Sequence, residues 1–475
     1  MGLAKVQIQI LPNQQFPDHI NIMMSDQLAK KLNIHTNTLW VAFGSSIATG
    51  YIARMKRANH KIIFISNNLA NKLLLPAQPL IHVQFDSRSL RLRIGPLFGI
   101  LISKMPQTED DQLFGQMTRF LGECEATGQN KGIRVAVVLA DTIDIERRGI
   151  KGWIKVNDRW LATTLPLPDV IYNRITSRKI EEKDAVQTNL ARLKSQFHIP
   201  IFNERFLNKL EVYQILSKDE RMRNYLPETH LYQTDKCKEF LNRYSTIYLK
   251  PTNGSLGQGI IRIVRTGPEW LYQSATASGT FSKTTSSKKE LLRLLNKKIR
   301  NKPYIMQQGL DLIKYERRQV DFRVLVQKNI QGEWRITSSV GRIANDQHIV
   351  SNLARGGTIR KTSELLDELA LKHKPSVSDI KHAALSIVNT FEELVGGHYA
   401  ELGIDLGIDT QGKIWLIEIN SKPSKTDDTV INPTTHRRPS VSRLIEYVQY
   451  LTLLQHNAHS PPSAQHQWTL RRRKP

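Results

Sequence analysis

Two carboxylates and one amide near the C-terminal end carry the clearest chemical signal in the sequence. They are Asp405, Glu418 and Asn420, within two strand-like segments, 399–408 and 413–420, which a turn at 409–412 joins. If Ile408 pairs with Lys413 across this turn, Asp405 lies opposite Leu416. Side chains alternate between the two faces of a strand, so the three oxygen-bearing groups are expected on one face.

Three isoleucines in the same hairpin, Ile404, Ile417 and Ile419, are then expected on the opposite face, toward a core. Like charges on one face repel unless a cation lies between them. Hard oxygen ligands of this kind suit Mg²⁺, which completes its shell with substrate phosphates. The alternative is a solvated polar face of a surface hairpin, against which the flanking apolar runs argue.

A glycine-rich segment lies between two other predicted strands. Lys250 ends the first strand, residues 251–259 form the loop, and a second strand begins at Ile260. Three glycines in the loop let backbone amides approach a phosphate closely, because no Cβ intervenes. The Gly-Lys-Ser/Thr ending of a Walker loop is absent, and a strand follows instead of a helix. An ordinary glycine-rich hairpin is the alternative interpretation.

Two further strands place arginines where they can meet an anion. Asp321 and Arg323 share one face of a predicted strand at 321–327, and Arg342 lies near the end of another at 335–343. Arginines that point into a phosphate site stabilise charge on a transferring phosphoryl group or on an acyl oxygen. For each arginine taken singly, the alternative is a solvated strand residue.

The segments before residue 206 predict two smaller domains. Residues 1–100 consist of short strands with Gly and Asn turns, which indicates a small β domain. Beyond Pro96 the pattern predicts a helix at 111–126, buried strands at 134–140 and 169–173, and a helix at 182–197. This second part is expected to be an α/β domain.

From residue 206 to about 455, helices and strands alternate. The Ser- and Thr-rich segment 273–289 is predicted to be an exposed, mobile loop. The end of the chain, from 456, combines prolines, polar residues and a basic run, and is predicted to be disordered. No internal repeat is expected.

Composition narrows the class of protein. The chain has 475 residues, 40% of them hydrophobic and 23% charged, which is typical of a soluble globular protein. No apolar run approaches the ~20 residues of a membrane-spanning helix, and the N-terminus does not resemble a secretory signal. The two cysteines, Cys124 and Cys237, have no metal-ligand spacing. A reducing, cytoplasmic location is therefore predicted.

The net charge of +25 has two readings. A basic surface attracts anions, nucleotides included, and it can also attract nucleic acid. Part of the excess lies in the tail at 471–474, and the chain contains no zinc-finger spacing, RNA-recognition signature or basic zipper. Nucleic acid is therefore disfavoured as a partner.

With these features in order, residues 206–430 resemble an ATP-grasp protein. The chain is more closely similar to the YheC/YheD family of endospore coat-associated proteins, on the motifs at 92–101, 167–174 and 208–213. The resemblance implies an α/β (α+β) fold. Its parts are a β-rich domain at 1–100, an α/β pre-ATP-grasp domain at 101–205, an ATP-grasp domain at 206–455 with two α+β subdomains that clasp ATP, and a disordered basic tail at 456–475.

The resemblance also implies roles for individual residues. Those expected to bind ATP are Lys209 and Lys250 on the α- and β-phosphates, Gly254, Ser255, Gly257 and Gly259 in a lid, Gln307, Gln308 and Leu310 at the adenine, and Asp321 on the ribose side. Those expected near the reacting groups are Arg323 and Arg342 on the γ-phosphate and acyl-phosphate, and Asn352, Gly356 and Gly357 in a loop over the acceptor. Asp405, Glu418 and Asn420 are expected to ligate one or two Mg²⁺, or Mn²⁺.

The function implied by the resemblance is that of an ATP-dependent ligase that joins a carboxylate to an amine or thiol through an acyl-phosphate. Expected partners are ATP, a small carboxylate, an amine or peptide, and spore coat proteins. The alternative is a non-catalytic structural protein of the spore coat that retains the ATP-binding fold. Two departures concern the chemistry. The Gln307–Gln308 pair lacks the acidic residue that many relatives place at the adenine hinge, and no general base stands out in the sequence.

Overall fold

The computed structural model describes residues 2–56, 58–103, 113–254, 258–276, 279–300, 302–344, 357–369, 371–425 and 438–458. The chain forms two compact units. The first comprises the residues up to 205, the turn at 329–332 and the C-terminal helix. The second comprises 206–328 and the rest of the chain from 333 onward, up to that helix.

The first unit begins with a closed barrel of seven strands in the order β1-β5-β2-β4-β3-β7-β6. Its elements are β1 (Gly2–Leu11), β2 (Ile22–Ser25), α1 (Asp26–Leu32), β3 (Thr38–Phe43), β4 (Ser46–Met55), β5 (Ile62–Ser66), α2 (Asn67–Leu73), β6 (Gln78–Asp86) and β7 (Arg91–Ile94), with a 3-10 turn at Asn13–Gln15. Val6, Ile8 and Ile63 are among the alternate strand residues that fill the core. The predicted β-rich character of this part is confirmed.

The barrel contains an internal repeat that the sequence reading missed. In each copy a strand runs into a serine that caps a short helix: the Ser25 hydroxyl accepts from Leu28 N at 3.1 Å, and the Ser66 hydroxyl accepts from Leu69 N at 3.3 Å. Both helices end in a left-handed residue. The repeat is short: Ser, Leu, Ala, Lys and Leu recur at corresponding positions of 25–32 and 66–73, a similarity confined to eight residues of a chain of 475.

A six-stranded sheet in the order β11-β10-β9-β8-β12-β13 follows the barrel. Its elements are β8 (Leu97–Ile102), α3 (Thr118–Asn130), β9 (Arg134–Leu139), β10 (Gly149–Val156), β11 (Arg159–Pro166), β12 (Val170–Asn173), α4 (Arg178–Glu181), α5 (Asp184–Phe197) and β13 (Ile201–Phe202), with 3-10 turns at Gly115–Met117 and Ala140–Thr142. The buried strands predicted at 134–140 and 169–173 are confirmed. The helix predicted at 111–126 begins later, at Thr118, and continues through Gly128.

The second unit opens with α6 (Lys209–Leu216) and α7 (Glu220–Arg223). An antiparallel sheet in the order β14-β19-β15-β16-β17-β18 follows. Its elements are β14 (Thr229–Leu231), α8 (Thr234–Arg243), β15 (Thr246–Pro251), β16 (Ile261–Thr266), β17 (Glu269–Thr276), β18 (Gly279–Thr285), α9 (Lys288–Ile299) and β19 (Tyr304–Gln308). Phe240, Leu249 and Leu295 lie in the core between this sheet and its two helices.

The loop predicted at 273–289 is wrong. Strands β17 and β18 form a hairpin there, with Tyr272 opposite Lys283 and Ala275 opposite Thr280. Trp270 and Tyr272, two residues apart in β17, are buried in the core, so one face of the hairpin contributes to it. Threonine and phenylalanine have high strand propensity, and here that propensity outweighs the loop-like composition of the segment.

A second sheet in this unit has the order β23-β22-β21-β24-β25, with a short strand, β20, paired to β21. Its elements are β20 (Lys314–Tyr315), β21 (Arg318–Lys328), β22 (Trp334–Ile343), β23 (Thr358–Lys361), α10 (Thr362–Glu368), α11 (Val377–Leu394), β24 (Glu401–Ile408) and β25 (Ile414–Asn420). Ile380, Ile387 and Phe391 of α11 are fully buried against this sheet. The other face of the sheet is left to carry polar side chains.

The last described helix, α12 (Pro439–Ala458), belongs to the first unit. Val441, Ile445 and Val448 are fully buried, and the ring of Tyr447 meets that of Phe202 edge-on at 5.5 Å between centroids. The chain therefore returns to its first unit, a long-range contact that local patterns do not encode. The helix also covers 456–458, the start of the predicted disordered tail, whose remainder lies outside the described residues.

Two smaller observations concern the cysteines and membrane spans. Cys124 and Cys237 are buried and lie in different units, and burial raises the pKa of the Cys237 thiol to about 12. Within the described ranges, no helix has both the length and the apolar character needed to cross a bilayer.

Candidate functional site

The carboxylate hairpin has a different register from the one predicted. Ile408 pairs with Ile414, and Asp405 lies opposite Glu418 instead of Leu416. The carboxylate of Asp409 causes the difference: it accepts from the amides of Gln411 at 3.0 Å and Lys413 at 2.9 Å, which draws Lys413 into the turn.

A β-bulge at Ile417 then restores the arrangement of the polar groups. Asp405 pairs with Glu418, and Gly403 pairs with Asn420 two residues further on. The three oxygen-bearing side chains therefore share one face of the hairpin, as predicted.

The bulge also moves Ile417 off the core face, where the sequence reading had placed it. Ile404 and Ile419 are buried in the core as expected. Ile417 is only half-buried and lines a pocket on the polar side of the sheet. A bulge leaves one residue without a cross-strand partner and breaks the strict alternation of faces, which explains the exception.

Asp405 lies at the centre of a buried chain of alternating charges. Its carboxylate accepts from Arg323, with Nη2 to Oδ2 at 2.9 Å and a second bond from Nε. Arg342 Nη2 lies 2.9 Å from the same Oδ2, and Arg342 Nε donates to Asp321. Strand pairing sets this chain up, because Asp321 is opposite Arg342 and Arg323 is opposite Asp405.

The charge chain consists of two arginines and two aspartates, and these opposite charges shift the pKa values of Asp405 and Arg342. Burial alone favours the neutral acid, but Arg323 and Arg342 outweigh burial and hold the pKa of the Asp405 carboxyl below its ordinary value. Burial likewise opposes the charge on Arg342, but Asp321 and Asp405 together raise the pKa of its guanidinium. Arg342 is thus held charged, and the ion pairs fix the orientation of both guanidinium groups.

Lys209 connects the glycine-rich segment to the carboxylate hairpin. Its ammonium donates to Glu418 Oε1 at 2.8 Å and to the carbonyl of Gly254 at 2.7 Å. Asn208 caps the helix that begins at Lys209 by accepting from Leu210 N at 2.9 Å. The lysine is therefore held between a loop carbonyl and a carboxylate.

Lys250 projects from β15 toward the neighbouring strand β19. Its ammonium donates to Gln307 Oε1 at 2.6 Å. Burial is the main influence on this group and lowers the pKa of the Lys250 ammonium to about 8, with Glu418 raising it and Lys209 lowering it further. Two lysines and one carboxylate are thus close enough to act on one another's charge.

A pocket of about 510 Å³, its open mouth included, contains the side chains of Lys209, Lys250, Gln307 and Glu418. Its lining residues are Leu207, Asn208, Lys209, Val212, Tyr213, Leu226, Pro227, Thr229, Lys250, Ile305, Gln307, Leu416, Ile417, Glu418 and Ile419. Most are aliphatic, and the charged ones are two lysines and one glutamate. Such a lining suits a ligand that has both an apolar ring and an anionic group.

The remaining predicted hinge residues lie beside the pocket rather than in its lining. Gln308 Oε1 accepts from Glu228 N at 3.2 Å, and Leu310 is half-buried. Gly309 lies so close to Thr246 that a Cβ there would be 2.5 Å from the threonine side chain. The pair Gln307–Gln308 is thus divided, with only Gln307 among the pocket residues.

The predicted lid and acceptor loop are only partly described. Gly254 and Gly259 both lie close to Pro251, because a Cβ at either glycine would be 3.1 Å from the proline side chain. The carbonyl of Gly259 accepts from the Tyr304 hydroxyl at 3.1 Å. Gly259 has φ of +72°, a conformation that favours glycine. Ser255, Gly257, Asn352 and Gly356 lie outside the described residues, and Gly357 directly precedes β23.

Sequence reasoning missed several pocket residues, among them Asn208, Thr229 and Leu416. Asn208 carried a recognisable signal, since an Asn with a Glu three residues later, Glu211, is a helix N-cap pattern. Thr229 and Leu416 carried none, because a single threonine or leucine in a strand has no distinctive spacing.

Whether these side chains fit a divalent cation is a question of donor chemistry. Across the described residues, no group of three or more His, Cys, Asp or Glu side chains is arranged around a metal position. Asn420 Nδ2 donates to Asp405 Oδ2 at 3.3 Å, which leaves its Oδ1 for another donor or a cation. Glu418 retains one oxygen beyond its bond to Lys209. Glutamate, aspartate and asparagine oxygens on one face fit Mg²⁺, and at Asp405 the cation would share the carboxylate with two guanidinium groups.

Comparison with known proteins gives a consistent result. A family model described as YheC/D like ATP-grasp matches residues 198–451. The chain is 30% identical over 418 residues to the endospore coat-associated protein YheD of Bacillus subtilis (strain 168), covering 87% of this chain and 91% of that protein. It is 23% identical over 275 residues to YheC of the same organism, an endospore coat-associated protein, covering 58% and 76%.

Among solved structures, D-alanyl-alanine synthetase A from Vibrio cholerae O1 biovar eltor str. N16961 has a TM-score of 0.43 and 14% identity, covering 75% of this chain and 99% of that one. The family match spans every residue that the sequence predicted for the site.

Proposed function

Because the chain belongs to the YheC/D-like ATP-grasp family, we propose that its second unit binds Mg-ATP and acts as an ATP-dependent ligase. The ligase joins the carboxylate of one substrate to an amine or thiol of another through an acyl-phosphate. The observation that supports this most strongly is that Lys209, Lys250 and Glu418 line a single pocket that is otherwise mostly aliphatic.

Two kinds of side chain in the pocket lining suit different parts of the nucleotide. Leu226, Ile305 and Leu416 offer apolar surface to the adenine ring. Lys209 and Lys250 offer ammonium groups to the α- and β-phosphates. Lys209 already donates to a carbonyl and a carboxylate, and an ammonium has a third N–H that can donate to a phosphate oxygen when the nucleotide enters.

The proposed reaction has two steps and gives the two arginines a role. A carboxylate oxygen of the first substrate attacks the γ-phosphorus, the bridging P–O bond breaks, and ADP leaves. The amine nitrogen or thiol sulfur of the second substrate then attacks the acyl carbon, loses its proton, and displaces inorganic phosphate. Asp405 and Asp321 already orient Arg323 and Arg342. The two arginines therefore stabilise the negative charge on the γ-phosphate and the acyl-phosphate without having to reorganise.

Asp405, Glu418 and Asn420 are the residues that would hold the cation. When bound, Mg²⁺ supplies charge neutralisation at the β- and γ-phosphate oxygens. Glu418 has a second task in this scheme, because its present partner is the ammonium of Lys209. The carboxylate thereby keeps that lysine within reach of the phosphates.

A second candidate function rests on the relatives of the chain, YheD and YheC, which are endospore coat-associated proteins. In that case the chain is a structural component associated with the spore coat that retains an ATP-binding fold without turnover. A fold does not by itself establish chemistry. Retention of the lysines, both arginines and the oxygen donors favours the ligase.

Calorimetric titration of the full chain with ATP and ADP, with and without Mg²⁺, tests the binding proposal. Lys209→Met should weaken ADP binding by about tenfold or more, the value expected for loss of a charged hydrogen bond. The matched control is Lys218→Met, since Lys218 is exposed and not part of the pocket. Equal affinities in both variants would contradict the assignment of Lys209.

Release of ADP in the presence of pooled carboxylates, amines and thiols separates the two candidate functions. The ligase predicts ADP release that depends on both the carboxylate and the nucleophile. A chain that binds Mg-ATP yet releases no ADP with any pool is the result expected of the structural protein.

A further inference from the structure

The side chain of Gln307, which the sequence reading assigned to the adenine site, is engaged elsewhere. Its Nε2 donates to the hydroxyl oxygen of Thr229 at 2.9 Å, and its Oε1 accepts from the ammonium of Lys250 at 2.6 Å. The Thr229 hydroxyl donates to the carbonyl of Pro227 at 2.8 Å. We infer that Gln307 is a positioning residue that fixes Lys250 through this relay, which starts at the Pro227 carbonyl. The inference rests on the proposed nucleotide-binding function.

The direction of each hydrogen bond follows from the chemistry of the groups. A carbonyl only accepts, so the single hydroxyl proton of Thr229 goes to Pro227. The hydroxyl oxygen is then left to accept, so it faces the amide nitrogen of Gln307. The amide oxygen must face the other way, toward Lys250, whose ammonium can only donate. The orientation of the amide is thus determined by both of its neighbours.

The relay runs across three adjacent strands. Thr229 of β14 lies directly opposite Gln307 of β19, and β19 pairs on its other side with β15, which carries Lys250. Thr229 is 2% and Gln307 8% exposed. Breaking the relay at Thr229 removes the acceptor of the Gln307 amide nitrogen and so penalises the present orientation of Gln307.

The choice of an amide over a carboxylate has a consequence for the ligand. A glutamate at this position would hold the ammonium equally well but would neutralise its charge. A glutamine holds the ammonium and leaves its positive charge for a phosphate oxygen. This is consistent with a neutral residue at Gln307, in the pair that lacks the acidic residue of the adenine hinge noted above.

A comparison of a ligand that carries phosphates with one that lacks them distinguishes a positioning role of Gln307 from an adenine contact. Affinities of the full chain for Mg-ADP and for adenosine are compared in Gln307→Leu and Thr229→Val. If the relay positions Lys250, each variant weakens ADP binding by about tenfold, as for a lost charge-assisted hydrogen bond, and leaves adenosine binding unchanged. The double variant should be no worse than Gln307→Leu alone, because both changes break one relay. Thr229→Ser, which keeps the hydroxyl, should behave as the wild-type chain.

Two results would overturn the inference: adenosine affinity that falls as much as ADP affinity, or ADP losses that add in the double variant. Gln233→Leu, an exposed glutamine outside the pocket, controls for loss of an amide. If the wild-type chain binds neither ligand, the proposed function fails. The relay is then judged on crystal structures of the wild-type chain and Thr229→Val. Lys250 in contact with Gln307 in the first and released in the second supports it, whereas the same Lys250 position in both overturns it.

Discussion

Arg342 of β22 and Asp405 of β24 form a buried ion pair, with Nη2 2.9 Å from Oδ2, although β21 lies between their strands. Arg323 on the intervening strand contacts the same carboxylate. Three adjacent strands are therefore joined on their polar face by charge as well as by backbone hydrogen bonds. The arrangement stabilises the sheet and also holds two arginines beside the proposed metal ligands.

Asp405→Asn should destabilise the second unit strongly, because it leaves two buried guanidinium groups without their shared anion. Removing one partner of a buried ion pair typically costs about 3–5 kcal/mol. Urea unfolding of the full chain, followed by probes in each unit, measures the loss. Asp367→Asn, on an exposed side chain of α10, is the control, and an equal small effect in both would contradict this role of Asp405.

The same carboxylate predicts how stability depends on pH. Its pKa in the folded chain is below the ordinary value, so its contribution to the free energy of unfolding is fully present above the unfolded pKa of about 3.9. That contribution is lost as the pH falls through the folded pKa. As the pH falls below about 4, the free energy of unfolding of the wild-type chain should therefore decrease by an amount that is missing in Asp405→Asn.

Lys250 predicts a pH dependence of nucleotide affinity. Its pKa is lowered to about 8 by burial, so raising the pH through 8 removes the charge that is proposed to meet a phosphate. ADP affinity should then fall between pH 7 and pH 9, and Lys250→Met should have low affinity with little dependence on pH in this interval. Calorimetry at several pH values tests this, and an equal slope in the wild-type and variant chains would contradict it.

The two capping serines of the barrel predict equivalent effects on stability. Ser25→Ala and Ser66→Ala each remove a side chain that accepts from a backbone amide at the start of a helix. Each should lower the free energy of unfolding of the first unit by about 1 kcal/mol. Ser195→Ala, on an exposed position of α5, should change it by less than about 0.5 kcal/mol. Markedly unequal losses at the two serines would argue against structural equivalence of the two copies.

What the sequence could predict depended on how local each feature is. Strand alternation and the 409–412 turn placed Asp405, Glu418 and Asn420 on one face, as the structure confirms. The register was not predictable, because it depends on the Asp409 carboxylate, which accepts from two backbone amides of the turn, and on the bulge at Ile417, and neither has a distinctive spacing in the sequence.

Features that depend on distant parts of the chain were predicted least well. The hairpin at β17–β18 was read as a loop from its serines and threonines, and its burial against α9 decides otherwise. Helix α12 returns to the first unit through contacts with α3 and with Phe202, far away in the sequence. The partners of Gln307 likewise come from two other strands, so residue type alone suggested a different role.

The dependence of nucleotide binding on Mg²⁺ in Glu418→Gln tests the central proposal most directly. This change removes a charge from the oxygen donors and from the partner of Lys209 but keeps the size of the side chain. We expect Mg²⁺ to strengthen ATP binding in the wild-type chain. We expect Glu418→Gln to lose most of this effect and any ADP release while the variant stays folded. An unchanged Mg²⁺ dependence together with unchanged ADP release in Glu418→Gln would contradict the central proposal.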